Sequence, residues 1–585
     1  MRDALGVNVA SHLTRMAAEF PDRPAVHVPI GLVNPNGDTP HRTITFRELN
    51  ADADAVATGL QSIGIDRGTR VALMVPPGVD FFTLTFALFK LAAVPVMIDP
   101  GMGIKNLGKC LSEAEPEAFI GIAKAHLARR LFGWAKRSVR VTVNVGKRRF
   151  FCTRSMAELR RASVLAATTR SSQNNSVPPG RSEEVQADDL AAVLFTSGST
   201  GIAKGAEYTH GIFATQVELL KSTYGIQPGE VDLCTFPLFA LFGPALGMTC
   251  VVPDMNASRP ATIDPHKAMS QMRQFRVTNL FGSPAVLRRL SEVSRETEAS
   301  ADALASVSRL TTLKRVISAG APASISVIER FTQLLPLGVQ VFTPYGATEA
   351  LPVANIGSDE ILRQTRHLTE QGQGVCVGRP VAGITVHVVR ITDDAIPKWS
   401  DTLCVPPGTV GEFVVRGSVV TKRYFHRDEA TRLAKIMDER TGEVLHRMGD
   451  VGYLDKHGRL WFCGRKSHRV ETPHGTLFTD MVEPIFNPLK GVERTALVGV
   501  KRDGVTHPVL CVNLNNWAAE TGWSQFKDQF PTRAAEFDHT RAITTFLRFR
   551  RQFPVDVRHN SKIFREKLAV WADKKLGPKW KGGPA

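Results

Sequence analysis

Apolar positions in the first hundred residues change period twice within one unit. In ELNADADAVATGLQSIG, Leu49, Ala53, Val56, Leu60 and Ile63 recur at three- and four-residue intervals, which is the spacing of one face of an α-helix. RVALMV, after the DRG turn, is a continuous apolar run that predicts a buried strand, and ITF ahead of the helix predicts another. DFFTLTFALFKLAAVPVMIDP repeats the order, helix and then strand. Units of this kind stack their strands in parallel and need helices on both faces of the sheet, so the expected class is α/β, a large domain of βαβ layers. The rhythm returns in DLAAVLFTSGSTG, VTNLFGSPAVLRRL and LKRVISAGAPAS, and no internal repeat is evident.

Near 165–187 the chain becomes Ser-, Asn- and Pro-rich and predicts an exposed loop inserted in that domain. After about residue 380 the pattern shortens to GITVHVVRIT, GEFVVRGSVV and GYLDKHGRLWFCGR, which predict a β-rich subdomain with KHG as a hairpin turn. RTALVGVKR, HPVLCVNLN and KIFREKLAVWA then carry their own strand and helix signals. The expected division is a large N-terminal domain over 1–463, a hinge at 464–467 and a small mobile α+β lid over 468–585. Two apolar stretches, 81–98 and 236–253, approach the ~20 residues that cross a bilayer. The first contains Lys90 and Pro95, and the second is broken by Gly243, Pro244 and Gly247, so both predict buried core instead.

Composition adds one unusual feature. The chain is 43% apolar and 22% charged, as soluble globular proteins are, but its net charge is +17. From Arg541 onward, twelve Lys/Arg face three Asp/Glu, so about half of the excess sits in the last 45 residues. A basic face there suits an anionic substrate, a membrane surface or a partner enzyme. The eight cysteines form no C-x-x-C pair, and the N-terminal segment carries charges where an export signal needs an apolar core. Both point to a cytoplasmic protein with reduced thiols.

LFTSGSTGIAKG, 194–205, ends an apolar run with glycines, hydroxyls and a lysine, the parts that converge on phosphate oxygens. Lys204 is preceded by Ala203 and followed by Gly205, so the Gly-Lys-Ser/Thr ending of a P-loop is missing. Downstream stand ISAGAP (317–322), PYGATEA (344–350), MGDVGYLDKHGRLWFCGR (448–465) and FPVDVRHNSKIFREK (553–567). In this order the motifs resemble those of the adenylate-forming superfamily, which includes acyl-CoA synthetases, luciferases and peptide-synthetase adenylation domains.

The resemblance implies an acid activated by ATP and Mg²⁺. Thr196, Ser197, Gly198, Ser199, Thr200 and Gly201 with Lys204 would hold the β and γ phosphates, and Gly320, Ala321 and Pro322 would line the adenine pocket. Tyr345 and Gly346 would lie against the base, Thr348 would bond phosphate, and Glu349 would hold Mg²⁺. Asp450 would accept from the ribose diol, and Arg465 would contact the nucleotide beside the hinge residue Ser467. Lys562 would screen the substrate carboxylate against the α-phosphate. Relatives usually carry Gly where Ser561 stands.

The motifs leave the second half-reaction open. Many acyl-CoA synthetases carry a His where FPLFALFG has Ala240. With the VCVGRP stretch, the atypical hinge GRKSHRVETPHGTLFTD and the lysine segment, the chain is most similar to the bacterial olefin β-lactone synthetases. That resemblance implies a long-chain 2-alkyl-3-hydroxy acid whose own hydroxyl attacks the acyl-adenylate. Phe239, Ala240, Phe242 and Gly243 are the candidate wall of its acyl pocket, and His210 is a candidate base. A CoA-dependent fatty acyl ligase stays open as the alternative, as does a basic protein without catalysis; no nucleic acid is expected.

Overall fold

The computed structural model describes residues 7–30, 39–146, 154–171, 185–196, 203–236, 242–292, 310–555 and 563–584. Two seven-stranded sheets form the large N-terminal part. The first runs Val341–Phe342, Arg315–Ser318, Asn279–Gly282, Val231–Cys234, Thr249–Val251, Pro24–Pro29, His41–Thr45, and the second Arg154–Ser155, Val141–Val145, Ala118–Ile122, Arg70–Met74, Val94–Met97, Leu190–Phe195, Gly205–Thr209. Each is parallel except for one antiparallel pair at an edge. One core cluster joins them: Val26, Cys250 and Phe281 of the first sheet meet Ala191 and Ala192 of the second through Phe82, Phe86 and Phe213 on intervening helices.

The helical spacing read from the sequence produces the helix Phe46–Gln61, with Leu49, Ala53, Val56 and Leu60 fully buried. Its start is fixed by a capping box. Thr45 Oγ1 accepts from Glu48 N at 3.2 Å, and the Glu48 carboxylate accepts from Thr45 N at 2.7 Å. The stretch at 81–98 becomes the helix Val79–Lys90 and the strand Val94–Met97, and among the described residues no helix is long and apolar enough to cross a membrane. One expectation needs correction: residues up to Ser171 continue the helix Met156–Ser171 rather than forming a loop from 165. Residues 172–184 lie outside the described set.

A third, antiparallel sheet carries the β-rich segments. Its order is Tyr345–Ala347, Ala350–Asn355, Val375–Pro380, Leu460–Arg465, Glu443–Leu454, Gly411–Arg416, Thr385–Val389, with Lys435–Asp438 added to the long Glu443–Leu454 strand. The KHG turn is a hairpin in which the Asp455 carboxylate accepts from the backbone N–H of His457 at 2.8 Å and of Arg459 at 2.9 Å. Beyond Arg465 the chain builds a smaller three-stranded sheet, Val492–Arg502, Val505–Leu514 and Thr545–Arg548. The helices Thr479–Phe486 and Arg565–Leu576 pack on it, each contributing to a separate apolar cluster.

Candidate functional site

The described residues picked out by motif converge on one cleft of about 1870 Å³. The strand Leu190–Phe195 delivers Thr196, whose N–H donates to Lys204 O at 2.9 Å, and Lys204 leads into the antiparallel strand Gly205–Thr209. The glycine-rich loop therefore links two antiparallel strands, whereas a P-loop feeds a helix. Residues 197–202 lie outside the described set, with Ser197, Gly198, Ser199, Thr200 and Gly201 among them. Thr196, Lys204, Gly320, Ala321 and Pro322 line the cleft, as do Tyr345, Gly346, Thr348 and Glu349, and so do Asp450, Arg465 and Ser467. Gly346 is required by close approach, since a Cβ there would stand 2.7 Å from Ala350 O.

Three of the chain's five tyrosines also line this cleft, and each phenol donates to a motif residue. Tyr208 bonds Thr348 O at 2.5 Å, Tyr424 bonds Glu349 Oε1 at 2.6 Å, and Tyr345 bonds Asp450 Oδ2 at 2.6 Å. Asp450 Oδ1 meets Arg465 Nη1 at 2.8 Å. Burial, and next the Asp450 charge, hold the Tyr345 phenol well above its ordinary pKa, so it stays a donor.

Two lysines flank the ring of Tyr424, the donor to Glu349. Lys204 Nζ lies 5.0 Å and Lys435 Nζ 5.8 Å from the centre of the Tyr424 ring. Lys435 is buried, donates to Thr421 Oγ1 at 3.0 Å, and is pushed down to about 7 by burial, with Glu349 opposing. His446, with Nδ1 3.2 Å from Ala434 O, is held well below its usual value by burial and then by Lys435, so it is neutral. Between about pH 7 and 10.5 the unfolded chain keeps a proton on Lys435 that the folded chain has released, so folding stability rises with pH across that window. Lys435→Met is expected to flatten that rise, read as Tm against pH.

The small domain closes the other side. Arg565 Nη2 bonds both Glu483 oxygens at 2.8 Å, and Leu497 N donates to Glu483 Oε1 at 2.9 Å. Val555 and Ile563 pair across the ends of the lysine segment and line the cleft, while Lys562 and the rest of 556–562 lie outside the described residues. At the domain junction, Gly464 adopts φ +140° with no room for a Cβ beside Thr479 Oγ1. Next to it Lys466 Nζ donates to Thr392 O at 2.8 Å and to Glu412, which forms a buried pair with Arg447 at 2.6 Å. Beyond the scarcity of tyrosine, no motif marks Tyr424, Lys435 or the Glu412–Arg447 pair.

The same cleft has an apolar branch lined by Phe213, Leu220, Phe236, Phe242 and Phe281. Phe239 and Ala240 fall in 237–241, outside the described residues. Gly243 is not among the lining residues. It packs on Cys250, whose Sγ would stand 2.2 Å from an added Cβ, so this part of the run faces the core. His210 is also absent from the lining. It is fully buried against Phe89, has no hydrogen-bond partner on either ring nitrogen among the described residues, and is pushed down to about 4 by burial. An imidazole so enclosed cannot reach a substrate hydroxyl.

Comparison with known proteins adds three findings. The family model described as AMP-binding enzyme matches residues 13–425. The olefin beta-lactone synthetase of Xanthomonas campestris pv. campestris is 47% identical over 569 residues, 97% of each chain, and that of Stenotrophomonas maltophilia is 45% identical over 578 residues, 97% of this chain and 98% of its own. The solved O-succinylbenzoate coenzyme A synthetase from Bacillus subtilis, in complex with ATP and magnesium ion, aligns with a TM-score of 0.70 at 18% identity over 95% of this chain and 98% of its own. At that identity the structural likeness establishes the fold alone.

Proposed function

Because the chain belongs to the AMP-binding enzymes, and within them to the olefin β-lactone synthetases, we propose that this AMP-forming ligase converts a long-chain 2-alkyl-3-hydroxy acid into a β-lactone. The observation that carries the reading is the continuity of the cleft, in which Thr348, Glu349, Asp450 and Arg465 share one cavity with the Phe213–Phe236–Phe242 branch. An acyl chain lying in that branch leaves its carboxylate at the polar end.

A free carboxylate has no adequate leaving group. One carboxylate oxygen attacks the α-phosphorus of ATP, the bond from that phosphorus to the bridging oxygen breaks, and pyrophosphate departs. Both partners are anionic, so fixed positive charge is needed at the transition state. Lys204 would hold the departing phosphates, Lys562 would screen the carboxylate against the α-phosphate, and Thr348 Oγ1 would donate to phosphate. The Asp450 carboxylate accepts from the ribose hydroxyls, with Arg465 beside it. A magnesium ion on Glu349 would supply Lewis-acid charge to the phosphate oxygens. The site fits such an ion: magnesium is commonly held by one or two carboxylates plus phosphates and water, and Glu349 presents one hard carboxylate to the cleft.

In the second step the substrate's 3-hydroxyl oxygen attacks the activated carbonyl carbon. The carbonyl–oxygen bond to AMP breaks, the hydroxyl proton is lost, and a four-membered lactone closes. Well-oriented intramolecular nucleophiles reach effective molarities of roughly 10⁵–10⁸ M. The apolar residues Phe213, Phe236 and Phe242 lining the cleft support that orientation and limit competing water. The seven described cysteines are free thiols, which fits a reducing cytoplasm.

Purified protein incubated with ATP, Mg²⁺ and a 2-alkyl-3-hydroxy acid, with CoA omitted, is expected to yield AMP and lactone in equal amounts. The same acid without its 3-hydroxyl should release pyrophosphate but form no lactone. Turnover that depends on CoA and ends in a thioester would replace this reading with an acyl-CoA ligase.

A further inference from the structure

The helix Ala123–Phe132 is inside out. Only His126 is fully buried, with Nε2 3.0 Å from Val143 O; the apolar residues packed inward are the small Ala125 and Ala128, and Arg129 lies over the Phe119 ring. Its large apolar side chains face solvent: Leu127 is 56% exposed, Leu131 73% and Phe132 48%. A surface helix ordinarily does the reverse. Phe132 stacks on Trp134 with ring centres 5.7 Å apart, and Trp134 covers Gly108 of the neighbouring helix Ile104–Ala114, at whose start Ile104 is 53% exposed.

The surroundings are basic. Residues 104–140 carry eight Lys/Arg against three Asp/Glu. Two of those acids are already held elsewhere, Glu113 by Arg427 at 2.6 Å and Glu117 by Arg70 at 3.4 Å. Lys105, Lys109, Lys124, Lys136, Arg137 and Arg140 are exposed. Exposed Leu and Phe among Lys and Arg on a helix face are the features that seat a protein in the headgroup layer of an anionic bilayer. The same elements border the cleft, since Met102, Asn106, Ile122 and Ala125 line it.

We propose that this face docks on an anionic lipid bilayer and that the acyl chain enters the cleft past Met102 and Ala125. Only the second clause rests on the acid-activation reading. The C-terminal region is a second basic surface, with Lys567, Lys574 and Lys575 exposed, but its helix Arg565–Leu576 carries one large exposed apolar side chain, Val570, where Ala123–Phe132 carries three.

Flotation with vesicles of phosphatidylglycerol and phosphatidylcholine tests the docking, with pure phosphatidylcholine vesicles as control. Wild type is expected to float with the anionic vesicles at low salt and to be released by high salt. Leu131→Glu with Phe132→Ser should abolish flotation. Lys124→Glu, Lys136→Glu and Arg137→Glu together should weaken it on the order of a hundredfold. All variants should turn over a soluble short-chain hydroxy acid at the wild-type rate, which shows that they are folded. The proposal falls if wild type does not float, or if flotation survives these changes and is lost instead in Lys574→Glu/Lys575→Glu. It falls equally if Leu131→Glu dissociates an oligomer that never bound vesicles. Flotation without turnover of the soluble acid by wild type would sink the acid-activation reading while leaving the docking face intact.

Discussion

Alanine at Lys562 is expected to slow adenylate formation by about 10²–10³-fold while leaving the dissociation constant for ATP within a few-fold. The reason is where the charge is needed. The nucleotide already has Lys204, Thr348 and Asp450 lining its cleft, whereas the approach of a carboxylate to the α-phosphate creates repulsion that exists only on the way to the transition state. The segment carrying Lys562 begins and ends at the Val555–Ile563 pair on the cleft wall, and two residues later Arg565 is anchored on both oxygens of Glu483. Pyrophosphate exchange and calorimetric titration with ATP separate the two effects. A parallel loss in ATP affinity would make Lys562 a nucleotide-binding residue. Lactone formation from a synthetic acyl-adenylate should be nearly unaffected by the change, because the α-phosphate has by then lost its pyrophosphate.

The layered α/β core was legible because its helices and strands repeat with different periods, as the buried Leu49–Leu60 stripe shows. The antiparallel edge strand Gly205–Thr209 was not: GAEYT has no apolar run, and it becomes a strand because the edge of Leu190–Phe195 is there to pair with. Nor did polarity alone mark where the helix Met156–Ser171 ends, since ATT is compatible with a helix that already has a packed beginning at Leu159. Within the site, the motif residues could be found because each motif is local. Their partners lie far off along the chain: Tyr208 reaches Thr348, and Tyr424 reaches Glu349, across 140 and 75 residues. Gly243 illustrates the opposite limit, because an apolar run does not reveal which of its sides faces a cavity and which faces Cys250.

Asp450→Ala is expected to raise the KM for ATP by about 10–100-fold with a smaller change in kcat, as befits the loss of a charged acceptor worth ~1.5–3 kcal/mol to a bound ribose. The same substitution removes the partner of Arg465. Breaking a fully buried pair costs about 3–5 kcal/mol, but the Arg465 side chain retains 31% exposure toward the cleft and can be rehydrated, so a loss of ~1–3 kcal/mol in folding stability is expected. Tyr345→Phe separates the two functions of the carboxylate. It removes the 2.6 Å hydrogen bond to Asp450 and keeps the aromatic face, so its effect on KM should stay below about tenfold. If Tyr345→Phe instead matched Asp450→Ala in both KM and kcat, the carboxylate would serve mainly to orient the tyrosine. If Asp450→Ala lowered Tm without moving KM, its whole contribution would lie in the ion pair with Arg465. The Tyr345–Asp450–Arg465 chain thus holds the carboxylate in place before the nucleotide arrives, and a preset acceptor binds a ribose with less ordering cost than one that must first be fixed.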